Sequence, residues 1–302
     1  MAEALAVAGE WANLAFRWLH LIAGIAWIGS SFYFMWLDAR LKPVPGGREG
    51  VAGELWAVHS GGFYQKQKFL VAPPEMPEDL HWFKWEAYTT WISGALLLSL
   101  IYYAGANLYL IDPAKVPFTQ EGAIAAGLGF IAGGWLVYDG LCRSPLAHHP
   151  RVFAGVWFTA LTAAAYALTH IFNDRGAVIH VGAMIGTVMV ANVFLIIIPN
   201  QKKAVAAMLA GARPDPALGK ASKLRSTHNN YMTLPVVFIM LSTHFASTWG
   251  HEWNWAILAA LMLIGAGVRH AFNLRNRGRN GLWILPLAAL AMLVLYYVVR
   301  SS

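Results

Sequence analysis

Long apolar stretches alternate with short polar ones along the whole chain. Eight of them, at 11–37, 84–106, 122–141, 151–173, 177–198, 229–248, 254–274 and 281–299, have the length of about 20 residues that a helix needs to cross a hydrocarbon layer. They are continuous runs rather than ten-residue segments of alternating polarity, and only helices and closed barrels satisfy their backbone groups in lipid. The pattern predicts an all-α polytopic membrane protein, a bundle of eight transmembrane helices forming one domain over 1–302. Two connections are long: an aromatic and basic loop at 38–83 and a basic loop at 199–228. No internal repeat is visible.

Lys and Arg divide unevenly between alternate connections, which is what orients spans during insertion. One side holds Arg40, Lys42, Arg48, Lys66, Lys68, Arg143, Arg151, Lys202, Lys203, Arg213, Lys220, Lys223, Arg225, Arg275, Arg277 and Arg279; the other holds Lys115 and Arg175. The richer side reads as cytoplasmic, and with eight spans both termini lie on the opposite face. The N-terminus carries Glu3 and Glu10 but no Lys or Arg before the first span, unlike a cleaved signal peptide, so the first span is expected to be retained.

Composition narrows the classes. With 58% hydrophobic and 12% charged residues, a soluble enzyme, a disordered chain and a disulfide scaffold are excluded. The net charge of +7 sits in the connections and sets orientation, so no nucleic-acid partner is expected and the partner is the lipid bilayer. The lone Cys142 rules out an internal disulfide, a CxxC pair, a four-thiolate cluster and the CxxCH attachment of a c-type haem.

Eleven histidines are many for so apolar a chain, and His20, His170, His180, His244 and His270 fall within expected spans. A buried imidazole needs a partner and serves as hydrogen-bond post, proton carrier or metal ligand. The topology places His170, His180 and His244 near the outer ends of their spans, with His20 about 13 Å deeper at about 1.5 Å per residue. That grouping suits haem b on axial histidines, with His20, His180 and His244 as iron ligands and His170 as a fourth cofactor-binding candidate. His20, Gly24, Trp27 and Ser31 share one helix face, as do Thr159, Ala163, Tyr166 and His170, and His180, Met184 and Thr187. Such stripes also arise from plain helix packing. His270, Asn273 and Arg277 form a polar stripe where a second haem or an anionic anchor stays open. No HExxH, GxSxG, P-loop or GxGxxG motif occurs, so hydrolase and nucleotide-binding readings lack a foothold.

The loop at 38–83 is rich in chemistry. Trp56, His59, Ser60, Phe63, Tyr64, His81 and Trp82, with Lys66, Lys68 and Lys84, offer flat rings to stack on, cations for an anion and imidazoles for proton transfer. An interfacial aromatic belt with snorkelling lysines would use the same residues. The segments Val58-His59-Ser60-Gly61-Gly62-Phe63-Tyr64 and Leu80-His81-Trp82-Phe83-Lys84-Trp85-Glu86-Ala87-Tyr88, preceded by Trp36-Leu37-Asp38-Ala39-Arg40-Leu41, resemble the membrane domain of the bacterial integral-membrane urate oxidases over nearly the whole chain. Residues 20–29 are also similar to the first helix of small haem-b proteins of protoporphyrinogen oxidase type.

The urate oxidase resemblance implies an inner-membrane oxidoreductase of purine catabolism that converts urate to 5-hydroxyisourate. Longer members of that family carry a C-terminal cytochrome c domain; none follows here before Ser302, which implies a separate c-type cytochrome as electron acceptor, reached through one haem b or two. Within that expectation His59, His81 and Glu86 are the candidate catalytic groups, and Ser60, Phe63, Tyr64, Lys66, Lys68, Trp82, Lys84 and Arg277 the candidate urate contacts. Homo-oligomerisation stays open. The rival readings are a purine or anion transporter, which would need a path to the outside, and a haem-b anchor subunit of a dehydrogenase, which would need no substrate site.

Overall fold

The computed structural model describes residues 2–69, 73 and 75–300. α1 spans Ala2–Arg40, and a hairpin follows, β1 (Val51–His59) and β2 (Gly62–Phe69). α2 (Trp85–Leu97) continues through a π-helical turn at Leu98–Tyr103, and α3 (Ala106–Tyr109) is one turn long. α4 (Gln120–Arg143), α5 (Pro150–Ile171) and α6 (Asp174–Ala191) come next; α6 runs through a second π turn, Asn192–Ile197, into α7 (Ile198–Leu209). α8 (Pro216–Ser242), the short α9 (Ala246–Trp249), α10 (Asn254–Asn276) and α11 (Ile284–Arg300) complete the chain.

Each of the eight expected spans coincides with a long helical stretch. Five stretches, Val7–Arg40, Gln120–Arg143, Pro150–Ile171, Asp174–Leu209 and Asn254–Asn276, are long and apolar enough to cross a membrane, and the chain is a helical membrane protein. Local chemistry sets the helix starts. Thr119, Asn173 and Asp215 cap α4, α6 and α8 by accepting from the backbone N–H of Gly122, Arg175 and Ala217, and Pro150 and Pro216 open α5 and α8, where a missing N–H costs nothing.

Three expectations about boundaries change. Most of the expected loop at 199–228 is helix, because α7 and α8 extend past the membrane-length core and leave only 210–215 between them. α8 ends at Ser242, so His244 lies beyond the helix, exposed, rather than inside a span; the apolar run carries on past the helix end into α9. The loop at 38–83 contains an antiparallel hairpin whose tip needs two residues in left-handed conformation, Ser60 (φ 50°) and Gly61 (φ 77°), as a two-residue type I′ connection requires.

α6 is the central helix. His180, Val181, Ile185 and Val188 on it are wholly buried, and it packs against α4, α5 and α8. Gly182 lets α8 close in: a Cβ there would stand 2.5 Å from Ile239 Cγ2. α1 packs on α2 and α11 on α10, and each presents outward a run of large apolar side chains, Trp11, Trp18, Leu21 and Ile22 on α1 and Leu287, Leu290 and Leu293 on α11, the expected face toward lipid tails.

Candidate functional site

The hairpin residues do not converge on a pocket. His59 and Ser60 form the exposed tip, Ser60 Oγ lying 2.8 Å from His59 Nδ1. Phe63 is 77% exposed beside Trp56 and Val58, one apolar face of the ribbon, while Tyr64, Lys66 and Lys68 lie on the other. Lys66 Nζ stands 5.4 Å from the Tyr64 ring centroid, Lys84 Nζ lies 5.8 Å from that of Trp85, and Lys68 binds Asp38 at 2.8 Å. Asp38 also pairs with Lys223 of α8, which ties the hairpin to the bundle. His81 packs edge-on against Phe83, Trp82 packs into the small cluster of Ala87, Val190, Val193 and Ile198, and Glu86 starts α2 half-buried. Arg277 is exposed at the end of α10. Among the described residues no hydrogen bond, ion pair or ring contact joins any two of His59, His81 and Glu86.

The membrane histidines have separate surroundings. His20 Nδ1 donates to the Thr90 carbonyl at 2.8 Å and lies 3.1 Å from Ser93 Oγ, on the face of α2 where Gly94 leaves room for the ring. His180 is wholly buried; its Nδ1 donates to the Gly176 carbonyl (2.8 Å) and its Nε2 meets the Tyr103 hydroxyl (3.3 Å). Gly127 makes that fit possible, since a Cβ there would stand 2.6 Å from Nε2. His170 is exposed and donates to the carbonyl of Tyr166 on its own helix.

A ring held at Nδ1 by a carbonyl is oriented as a metal-ligating imidazole is; among the described residues His20 Nε2 has no hydrogen-bond partner, whereas His180 Nε2 has Tyr103. The two meet the α2 stretch at Gly94 and Tyr103, about 13 Å apart at about 1.5 Å per residue, so they do not face each other across one iron. The apolar groove of about 400 Å³ between α4 and α5, lined by Gly129, Phe130, Gly133, Trp157 and Ala160, contains no histidine. No group of three His, Cys, Asp or Glu among the described residues could hold a metal. These residues do not fit a bis-histidine haem in this arrangement.

The structure instead gathers polar groups in a layer at the hairpin end of the bundle, built around Lys223–Tyr231 of α8. On one face of α8, Arg225 (5% exposed) donates from Nη2 to Asp139 Oδ1 at 2.6 Å and from Nη1 to Asn192 Oδ1 at 3.2 Å. Asn192 Nδ2 donates to the Tyr138 hydroxyl (3.0 Å) and to Asn229 Oδ1 (2.8 Å), and Asn229 Nδ2 donates to the Met189 carbonyl (2.9 Å). The Tyr138 hydroxyl also lies 2.9 Å from Nδ1 of His228, whose ring stacks on Phe153 at 4.4 Å. The second π turn begins at Asn192; such turns re-aim side chains and concentrate at functional sites.

On the next face of α8 lies a second centre. Arg269 Nε and Asn273 Nδ2, both from α10, donate to Asn230 Oδ1 at 2.9 Å each. The Phe32 ring of α1 covers the guanidinium, its centroid 3.7 Å from Cζ. α10 reaches α8 here because Gly265 sits against Leu234 and Pro235, where a Cβ would be 3.3 Å from both.

Neither centre stands out from histidine spacing or from the aromatic loop. A signal was present nonetheless: Asp139 and Arg269 are charges inside expected spans, and an ionisable residue at membrane depth is a functional candidate by default. A Lys and Arg count that serves only to orient the loops passes over them.

A helical membrane protein with a buried Arg, Asn and His layer at one end defines the class. The urate oxidase N-terminal family model matches residues 6–300, and the chain belongs to that family. No characterised protein and no solved structure gives a match.

Proposed function

We propose that the chain is a membrane-bound urate oxidase of the inner membrane of a bacterium, with both termini periplasmic and the hairpin end cytoplasmic. It converts urate to 5-hydroxyisourate and passes electrons to a separate c-type cytochrome rather than to oxygen. Family membership over residues 6–300 carries this reading. The polar layer supports it, because it supplies cations and proton-accepting groups at the face where a cytosolic purine arrives.

The chemistry balances as urate plus water giving 5-hydroxyisourate, two protons and two electrons. A planar monoanion must be held, its proton removed and bulk water limited. His228 is the proton acceptor best placed by surroundings: it is half-buried, Tyr138 fixes its Nδ1, and Phe153 fixes the ring plane. The Asn192–Arg225–Asp139 chain keeps Tyr138 in place and carries the compensating charge. His59, His81 and Glu86 are the surface alternatives for that proton, with Ser60, Tyr64, Lys66, Lys68, Lys84 and Arg277 guiding the anion inward.

The deciding experiment uses detergent-purified protein without oxygen, given urate and oxidised cytochrome c, with spectra taken before and after urate and again after dithionite. Urate loss with two cytochromes reduced per urate is the expected result. Absence of urate oxidation with cytochrome c, quinone or oxygen overturns the reading. His228→Gln abolishing turnover while His59→Ala leaves it intact places proton removal in the layer; the reverse places it on the hairpin.

A further inference from the structure

Between α4 and α5 the bundle leaves an apolar groove of about 400 Å³ that the proposed chemistry does not use. It runs from Ala126 to Val137 on α4 and from Ala164 back to Trp157 on α5, about 16 Å along α4 at about 1.5 Å per residue. A more open depression on the outer side of α5, lined by Val152, Gly155, Thr159 and Ala163, meets it at Ala160. The apolar surface therefore continues to the first turn of α5. Two glycines leave the outer wall empty. At Gly129 and Gly133, one turn apart on α4, a Cβ would meet nothing within 4 Å, whereas at Gly127 and Gly134 it would strike His180 and Met184. The second pair is required by helix packing; the first pair is not.

The connection at the hairpin end of the groove is basic. Arg143, His148, His149 and Arg151 are all exposed, and no Asp or Glu occurs from Gly140 to Asn173. The carboxylate nearest in sequence, Asp139, accepts from Arg143 Nε at 2.6 Å and from Arg225 Nη2 at 2.6 Å, so two guanidiniums share one negative charge and one cation is left over. The Arg143 side chain is 70% exposed, and Arg151 has no ion pair among the described residues. Both arginines lie about 9 Å beyond the end of the groove, six residues past Val137 on α4 and six before Trp157 on α5.

These lengths match a lipid. Half of a hydrocarbon layer of about 30 Å is about 15 Å, and the headgroup zone adds about 5–8 Å on each side. The groove spans the acyl region of one leaflet, and the arginines stand in the headgroup zone at its end. A guanidinium fork fits phosphate oxygens, and a basic mouth on a groove between spans favours an anionic headgroup over a zwitterionic one. We propose that α4 and α5 form a binding site for one anionic phospholipid of the leaflet at the hairpin end. One acyl chain lies in the groove over Gly129 and Gly133, Arg143 and Arg151 hold the phosphate, and His148 and His149 stand at its rim. The site is independent of the proposed urate chemistry.

The test uses the full chain in detergent, stripped of lipid and then given dioleoyl phosphatidylglycerol or dioleoyl phosphatidylcholine, which have the same chains and differ in headgroup charge. Native mass spectrometry counts retained lipid, and size-exclusion chromatography gives the oligomeric state. Wild type should retain one phosphatidylglycerol per chain with a preference of about 30-fold over phosphatidylcholine, the effect of two arginines at a membrane surface. Arg143→Gln combined with Arg151→Gln, both at exposed positions that the fold tolerates, should abolish the preference. Gly133→Leu fills the groove from its open side and should lower retention of both lipids, with an unfolding temperature close to that of lipid-free wild type. Equal retention of the two lipids by wild type, or an unchanged preference in the double arginine variant, overturns the site. Undiminished retention in folded Gly133→Leu protein overturns it as well; should that variant not fold, the arginine variant decides alone. A wild-type dimer that retains no lipid and that Gly133→Leu dissociates makes the groove an interface between copies and overturns the lipid as its occupant.

Discussion

Arg225 and Arg269 are equally buried, at 5% exposure each; Arg225 lies on α8 and Arg269 reaches α8 from α10 within the same polar layer, yet their surroundings are opposite. Arg225 has a carboxylate at 2.6 Å, an amide at 3.2 Å and the rings of Trp135 and Tyr138 at 5.8 and 5.2 Å. Arg269 has an amide oxygen and a phenyl ring, and no carboxylate within ion-pair distance among the described residues. A buried ion pair with its remaining donors satisfied belongs to the scaffold, whereas a buried cation with orphan donors costs the fold stability. The difference separates a closed centre that holds the helices in register from one left open, with donors unmet.

The sharpest break of that contrast is Asp139→Asn. It strands Arg225 in the interior and should lower stability by about 3–5 kcal/mol, read as a large drop in the thermal unfolding temperature; the double variant Asp139→Asn with Arg225→Met should recover much of the loss. Arg269→Met should move the ligand-free protein the other way, by about 1–3 kcal/mol of added stability, because it removes an uncompensated buried charge. If both arginine centres responded with the same sign, the distinction between closed and open would be lost. Tyr138→Phe leaves Asn192 Nδ2 with one acceptor and His228 Nδ1 with only the Cys142 sulfur at 3.8 Å, and should lower stability by about 1–2 kcal/mol in the same melting assay. Lys68→Ala removes a half-exposed ion pair to Asp38 and should cost less than about 1 kcal/mol; limited proteolysis within the hairpin then reports whether that pair holds the ribbon in place.

The helices were readable in the chain because each apolar run is long and ends in recognisable chemistry, such as Thr119 before α4 or Asp215-Pro216 before α8. The extension of α7 and α8 past their apolar cores was not, since a polar helix outside the membrane has no hydrophobic stripe to mark it. His20 and His180 were expected as haem ligands; the partners that the fold gives them, Thr90 and Ser93 for one and Tyr103 and Gly176 for the other, come from packing rather than spacing. The hairpin segments carried the family resemblance, yet their side chains are spread over the surface of a ribbon. The buried layer draws instead on a few residues each from α1, α4, the second π turn, α8 and α10, separated by as much as 241 positions between Phe32 and Asn273 in the numbering.

What the sequence determines unaided is the solvent of each segment: run length and charge content decide which stretches suit lipid, and the local cap residues decide where helices begin. Family membership is likewise a property of the linear order. Which buried charge is paired and which is left open was decided only by the tertiary structure. Asn229 and Asn230 are neighbours in the chain, but about 100° of helical turn lies between them, so one faces Asn192 and the other faces Arg269. Hydrogen bonding acts over about 3 Å, a distance that only the packing of α8 against α6 and α10 sets.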